Sequence, residues 1–301
     1  MFFEGSEKKI ELVLVEEGPS LRILIDQWVE VVASAHATIL SRISGEQCDA
    51  YLLSESSLFV YDRSIVMITC GTTSLVNAVE RMFRFIPLDQ ITLLMYERKN
   101  EHFPEDQPSD FEEDVVRLKK YVPGEGQILG SEDDHYVGLF HYGPGFKPPL
   151  EDITLELLMH GLSEEAAALF RRSDLTREQL YRATGINRIF DDFQVDDFLF
   201  DPMGYSVNGI RGREYYTFHV TPEVPYSYAS FETNHQFGED LDATVNRVLD
   251  LFRPHQGALV LFTPNELTLK APELPQYYHT EQVQKISVCG YQIRFRAYSR
   301  L

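Results

Sequence analysis

The chain is short of cysteine and of positive charge, and it has no long apolar run. Its three cysteines, Cys48, Cys70 and Cys289, are too few among 301 residues for a disulfide framework, and they are not spaced as metal ligands are. No apolar stretch approaches the ~20 residues that a bilayer-crossing helix needs. Glu4 falls within Met1-Phe2-Phe3-Glu4-Gly5, where a signal peptide is basic and then apolar. The expectation is therefore a protein of a reducing compartment, the cytoplasm, with no metal site and no membrane segment. Lys and Arg number 27 against 47 Asp and Glu, a formal net charge of −20. Nucleic-acid binding wants a basic footprint, so that class is set aside. An acidic surface attracts cations over long range instead. A glycine-rich phosphate loop is also missing.

What is present is a chain of many short strands and a few helices. Residues 7–15 alternate, with Ile10, Leu12 and Leu14 on one strand face and Glu7, Lys9 and Glu11 on the other. Pro19 and Ser20 open a helix predicted to run to about Ala33. Strands are expected near 37–43, 48–54, 57–62, 64–70, 90–97, 126–130 and 135–141, with helices from Gly71 to about Phe85 and over 109–121. Residues 142–151, rich in Pro and Gly, are the clearest linker. Beyond it come strands at 153–159, 193–220, 226–232, 257–263 and 286–298, and helices at 163–171, 175–184 and 240–252. Strands that read as antiparallel, with a few helices per half, point to an α+β protein and not to alternating β-α-β units. The halves, about 1–142 and 152–301, show no convincing residue-level repeat.

One stretch is chemically odd. Leu52-Leu53-Ser54-Glu55-Ser56-Ser57-Leu58-Phe59-Val60 reads as a strand without a turn signal, yet three hydroxyls and a carboxylate interrupt its apolar run. Buried hydroxyls need partners, and the plain alternative is a half-exposed strand with a polar patch. Five further blocks accompany it: Phe2-Phe3-Glu4-Gly5-Ser6-Glu7, Ile68-Thr69-Cys70-Gly71-Thr72-Thr73, Gly204-Tyr205-Ser206, His219-Val220-Thr221-Pro222-Glu223 and Ser230-Phe231-Glu232-Thr233-Asn234. With their order and internal spacing, they closely resemble the eukaryotic-type S-adenosylmethionine decarboxylases, from Phe2 to about Tyr298.

The resemblance implies a four-layer αββα sandwich, one antiparallel sheet from each half with helices outside, forming a single domain over 1–301. It implies self-cleavage between Glu55 and Ser56 into a short β chain, 1–55, and a long α chain, 56–301. Ser56 then becomes a pyruvoyl group, the covalent cofactor, and holds the substrate through a Schiff base. Decarboxylating an amino acid requires such an electron sink, because no ordinary side chain delocalises the charge left on the α-carbon. The product is decarboxylated S-adenosylmethionine, the aminopropyl donor for spermidine and spermine. Self-cutting needs an oxyanion donor and a base; resemblance assigns these to Ser206 and His219. On a strand, His219, Thr221 and Glu223 point the same way, with His219 and Glu223 about 13–14 Å apart. Taken singly, His219 reads as a structural histidine and Ser206 as a turn residue. Cys70 matches the family's proton donor, and a thiol with an ordinary pKa of roughly 8.5 is mostly protonated at neutral pH; alone it is a small buried hydrophobe. The gap from Ser56 to Cys70 fits a hairpin. Phe3 and Phe200 match two adenine-stacking positions, Glu223 a ribose acceptor, and the Leu53 and Glu55 backbones the reader of the adenine edge. Glu4 and Glu7 match positions near the active site and the processing machinery.

Animal members of the family bind putrescine in an acidic pocket. This chain keeps its carboxylates, Glu11, Asp152, Glu156 and Glu232, but has Ile68 where the animal pattern has Lys and Lys9 where it has an apolar residue. Buried carboxylates need a cation. Lys9 could supply one permanently, as basic side chains do in plant members, so weak or absent putrescine activation is expected; Lys9 alone reads equally well as an exposed strand charge. The family leaves monomer, homodimer and complex with a paralogue open, with the short chain as a further partner after cleavage. A non-catalytic paralogue would be expected to lack the processing residues, and a pyruvoyl decarboxylase of another amino acid to lack Phe3, Phe200 and Glu223. A binding module without chemistry leaves the matched blocks unexplained.

Overall fold

The computed structural model describes residues 4–131, 135–172, 174–237 and 240–301. They form two units, each with its own core: Ser6–Lys147, and Pro148–Leu301 together with the N-terminal residues through Gly5. The unit boundary falls inside the predicted linker. The α+β class expected from the sequence is the one adopted, with two eight-stranded antiparallel sheets and six α-helices among the described residues.

The first unit holds β1 (Lys8–Leu14), α1 (Ile25–Ser34), β2 (Ile39–Ser44), β3 (Asp49–Leu53), β4 (Ser56–Val60) and β5 (Ser64–Thr69). It continues with α2 (Leu75–Met82), β6 (Ile91–Lys99), α3 (Phe111–Leu118), β7 (Glu125–Gly130) and β8 (Tyr136–Tyr142). Its sheet runs β2-β3-β4-β5-β1-β6-β8-β7. Alternation puts Ile10, Leu12 and Leu14 of β1 into a core shared with Trp28 and Val32 of α1 and Val79 of α2. The helix predicted from Ser20 is broken. Ser20 caps a short 3-10 turn over Leu21–Ile23, and α1 starts only at Ile25. α3 begins with the reciprocal capping pair Asp110 and Glu113, which satisfies two otherwise orphan N–H groups.

The second unit holds β9 (Thr154–His160), α4 (Glu164–Arg171), α5 (Arg177–Thr184), β10 (Gln194–Leu199), β11 (Tyr205–Arg211) and β12 (Glu214–Thr221). β13 (Tyr228–Thr233), α6 (Leu241–Phe252), β14 (Gln256–Pro264), β15 (Tyr278–Val288) and β16 (Tyr291–Arg300) complete it. The sheet order is β10-β11-β12-β13-β9-β14-β16-β15. Phe170, Leu180, Val248 and Phe252 of its helices pack on Leu157, Val207, Phe218 and Phe231 of the sheet. The other face of this sheet carries buried polar side chains, among them Ser206, Asn208, Thr217, His219, Ser230 and Glu232.

Three expectations are corrected here. Residues 52–60 are not one strand: β3 and β4 form a hairpin that turns on Ser54-Glu55. The turn lacks Gly, Asn and Pro, and for that reason the residues gave no sign of it. Glu223 does not continue the face of His219. β12 ends at Thr221, before Pro222, which has no N–H for the ladder, so the distance by strand rise does not apply. The strand expected over 286–298 is the end of a longer hairpin, β15 and β16.

Candidate active site

The hairpin corner in the first unit holds Glu55 and Ser56. Register pairs Leu53 with Ser56 across it, and Ser56 with Thr69 on β5. Cys70, one residue past β5, is thereby set beside Glu55. Its N–H donates to the Glu55 carbonyl at 2.9 Å, and its Sγ donates to the same oxygen at 3.3 Å. Thr73 Oγ1 in turn donates to the Cys70 carbonyl at 2.8 Å and fixes the loop. Two donors converging on one carbonyl oxygen are what stabilises negative charge when that carbonyl is attacked. Ser56 is buried, and its φ is +134°, a region open chiefly to glycine; holding a serine there costs about 1–3 kcal/mol. The Glu55 carboxyl is desolvated, its Oε2 has no hydrogen-bond partner among the described residues, and burial pushes its pKa up to about 7.

A buried ionic group supports this corner from β1 and β6. Lys8 Nζ donates to Gln107 Oε1 at 2.8 Å and to the Gly71 carbonyl at 3.2 Å, next to Cys70, and lies 3.6 Å from Glu101. Arg98 pairs with Glu101 and with Asp114, at 2.8 and 3.0 Å. Burial lowers the Lys8 pKa, with Glu101 acting in the other direction.

In the second unit the polar face is ordered in rows. Phe198, Ser206, His219 and Ser230 lie opposite one another across four strands. The next row runs Asn208, Thr217, Glu232, Glu156. Thr217 Oγ1 is 3.1 Å from His219 Nε2, and Ser230 Oγ is 3.4 Å from Nδ1. Phe200 lies just past β10, half-buried, its ring edge-on to Phe198 at 4.9 Å. Glu223, half-buried, sits in the loop after β12. Gly5 brings the N-terminal segment onto this face: a Cβ there would stand 2.5 Å from Thr221 Oγ1 and 2.8 Å from the Tyr228 ring. Glu4 beside it is buried. Phe3 lies outside the described residues.

The carboxylates of the expected activator cluster divide between the units. In the second, Glu156 and Glu232 are direct cross-strand neighbours, Tyr215 donates to Glu232, and Tyr291 donates to Asp152 at 2.6 Å. In the first, Lys9 is not exposed: it is 2% accessible and lies 3.6 Å from Glu97. Glu97 also takes Lys99 at 3.0 Å. Glu11 is two residues along the same face of β1, and Glu7, buried, precedes it.

Sequence reasoning missed four contributors: Glu97, the Cys70 N–H at the Glu55 carbonyl, and the pair Asn208 and Thr217. The hairpin spacing from Ser56 to Cys70 brought the thiol near Ser56 but did not place its N–H on the Glu55 carbonyl. No group of three or more His, Cys, Asp or Glu among the described residues is arranged to hold a metal ion.

A family model described as adenosylmethionine decarboxylase matches residues 1–301. The chain is 34% identical over 306 residues to an S-adenosylmethionine decarboxylase proenzyme of Onchocerca volvulus, covering 96% of this chain and 82% of the relative. It is 36% identical over 297 residues to a proenzyme of the same name from Caenorhabditis elegans, covering 91% and 80%. Among solved structures, the Trypanosoma brucei AdoMetDC-delta26 monomer superposes with a TM-score of 0.64 at 23% identity, covering 81% of this chain and 99% of that one, a likeness of fold.

Proposed function

The chain belongs to the adenosylmethionine decarboxylase family, and from that membership we propose an enzyme that matures by cutting itself between Glu55 and Ser56. It decarboxylates S-adenosylmethionine, as its relatives' names state. The finer reading is that the product serves as aminopropyl donor for spermidine and spermine, and that the enzyme works in the cytoplasm as one catalytic domain made of both units.

Maturation uses the chain's own atoms. Ser56 Oγ attacks the Glu55 carbonyl carbon, the C–N bond breaks, and the nitrogen takes up a proton, which leaves an ester. The Cys70 N–H and Sγ, both already on that carbonyl oxygen, hold its negative charge during attack. Release of the strained φ at Ser56 favours the step. His219 then removes the α-proton of residue 56. The electron pair forms a Cα=Cβ double bond as the ester C–O bond breaks, and Glu55 leaves as a carboxylate. Water displaces the nitrogen as ammonia, and a ketone remains. The residues fit this pyruvoyl group: the position is buried and hydroxyl-bearing, with a thiol on the adjacent carbonyl. When formed, the group supplies a carbonyl that condenses with the substrate amine and draws electrons from the α-carbon as CO2 leaves.

For the substrate, Phe200 and Phe3 are assigned to the adenine faces, Glu223 to the ribose, the Leu53 and Glu55 backbones to the adenine edge, and Cys70 to proton return. Ser206 is a second oxyanion donor, and Glu4 and Glu7 line the same chemistry. Lys9, with Glu97 and Lys99, is a built-in cation, so added putrescine is expected to change the rate little; a large saturable rise in activity would refute this.

The observation that carries the reading is the double donation from Cys70 to the carbonyl before a serine of positive φ. A denaturing gel tests it. The purified protein should give fragments 1–55 and 56–301, the longer one blocked to amino-terminal sequencing, and Ser56→Ala should stay whole and inactive. An intact wild-type chain that decarboxylates at full rate would overturn it.

A further inference from the structure

We infer that Asn208 and Thr217 are positioning residues that set the tautomer of His219, so that Nδ1 is the nitrogen that takes the proton. This deepens the proposed maturation and rests on the reading of His219 as its base. The inference starts from one hydroxyl. Thr217 has a single O–H proton, and it donates that proton to Asn208 Oδ1 at 2.9 Å. Its oxygen also lies 3.1 Å from His219 Nε2. With the proton committed to Asn208, the Thr217 oxygen can only accept, so Nε2 carries the hydrogen. A neutral imidazole has one N–H, which leaves Nδ1 with the lone pair. Ser230 Oγ lies 3.4 Å from Nδ1, a long contact.

The strand register makes this relay rigid. Asn208 and Thr217 are direct cross-strand partners, at 0% and 1% exposure, so water does not compete for the hydroxyl. Thr217 and His219 stand two apart on β12 and share its face. In the step concerned, the proton on Cα of residue 56 passes to Nδ1, and its bonding electrons expel the Glu55 carboxylate. Nε2–H remains on Thr217 throughout, and the imidazolium so formed keeps both nitrogens hydrogen-bonded. The opposite tautomer would leave no lone pair on Nδ1, and a histidine held that way loses most of the ~100- to 10,000-fold that a general base supplies.

The direct test needs no change at the relay. The Ser56→Ala full-length chain, labelled with 15N-histidine, is compared with the same chain carrying His219→Gln to assign the His219 signals. Long-range 15N–1H correlations should show a protonated Nε2 and a bare Nδ1. A protonated Nδ1 overturns the inference. In the Ser56 background, Thr217→Val should slow fragment formation roughly ten- to a hundredfold, a part of the base's contribution, and Thr217→Ser, which restores the hydroxyl, should return most of the rate. Thr217→Val that folds and matures at the unaltered rate also overturns it. Should Thr217→Val fail to fold, the NMR result decides alone. If His219→Ala matures at full speed, the assignment of His219 as base fails, while the tautomer result stands independently.

Discussion

In the first unit β3 and β4 turn on Ser54-Glu55; in the second, β11 and β12 turn on Gly212-Arg213. These are corresponding corners. Both sheets follow one strand order, the second with every number raised by eight. At Gly212 φ is +59° and nothing lies within 4 Å of where a Cβ would be, so the chain reverses at a residue that suits it. At the other corner the turn has no glycine, and the positive φ, +134°, falls on Ser56. One scaffold thus carries a relaxed turn and a strained one, and the strained one holds a carbonyl gripped by two donors from Cys70. On the proposed maturation, reactivity is a matter of where the strain is put, on a fold that also closes a corner without it.

The comparison can be broken from either side. The largest effect is expected from Cys70→Ala, which takes the Sγ donor from the Glu55 carbonyl and leaves the N–H. Maturation should slow on the order of 100-fold, followed as fragment formation over time. Next, the reactive corner can be given relaxed turn chemistry. Ser54→Asn with Glu55→Gly supplies residues that tolerate positive φ, and discharging ~1–3 kcal/mol of strain should slow cutting about tenfold. Glu55→Gln, which keeps the turn, separates that effect from loss of the carboxyl.

The same Glu55→Gln variant sharpens the comparison through pH. The folded-state pKa of Glu55, about 7, lies above its ordinary 4.5, so the folded precursor binds the proton more tightly than the unfolded chain does. Its stabilising contribution is complete below about pH 4.5 and is lost as pH rises through about 7. In the Ser56→Ala background, urea midpoints should fall across that window, and Glu55→Gln should remove this component. The smallest effect belongs to the quiet corner. Gly212→Ala should cost roughly 1–2 kcal/mol of stability for its left-handed φ and leave the cutting rate unaltered.

How much was legible follows from these elements. Period-two alternation exposed β1 and its buried face, and residue counting brought Cys70 back toward Ser56, because both signals are local. The common strand order was invisible, since it demands only matching apolar periods, which unlike residues satisfy. The pairing of Lys9 with Glu97 depends on β1 lying beside β6 in a set register, a fact of topology that no local pattern contains. Glu223 was misplaced because a strand face was carried through Pro222. The relay from Asn208 to His219 needed two strands and the direction of one hydroxyl proton.

The place of β1 has a mechanical consequence. Residues before Glu55 supply β1, which lies fifth of eight between β5 and β6, and β3, which pairs with β4. A chain nicked after Glu55 therefore does not shed its shorter piece. That piece is woven through the middle of the sheet, clasped on both edges by strands of the longer one, so the two products stay interlocked without a covalent bond, and dilution alone should not part them.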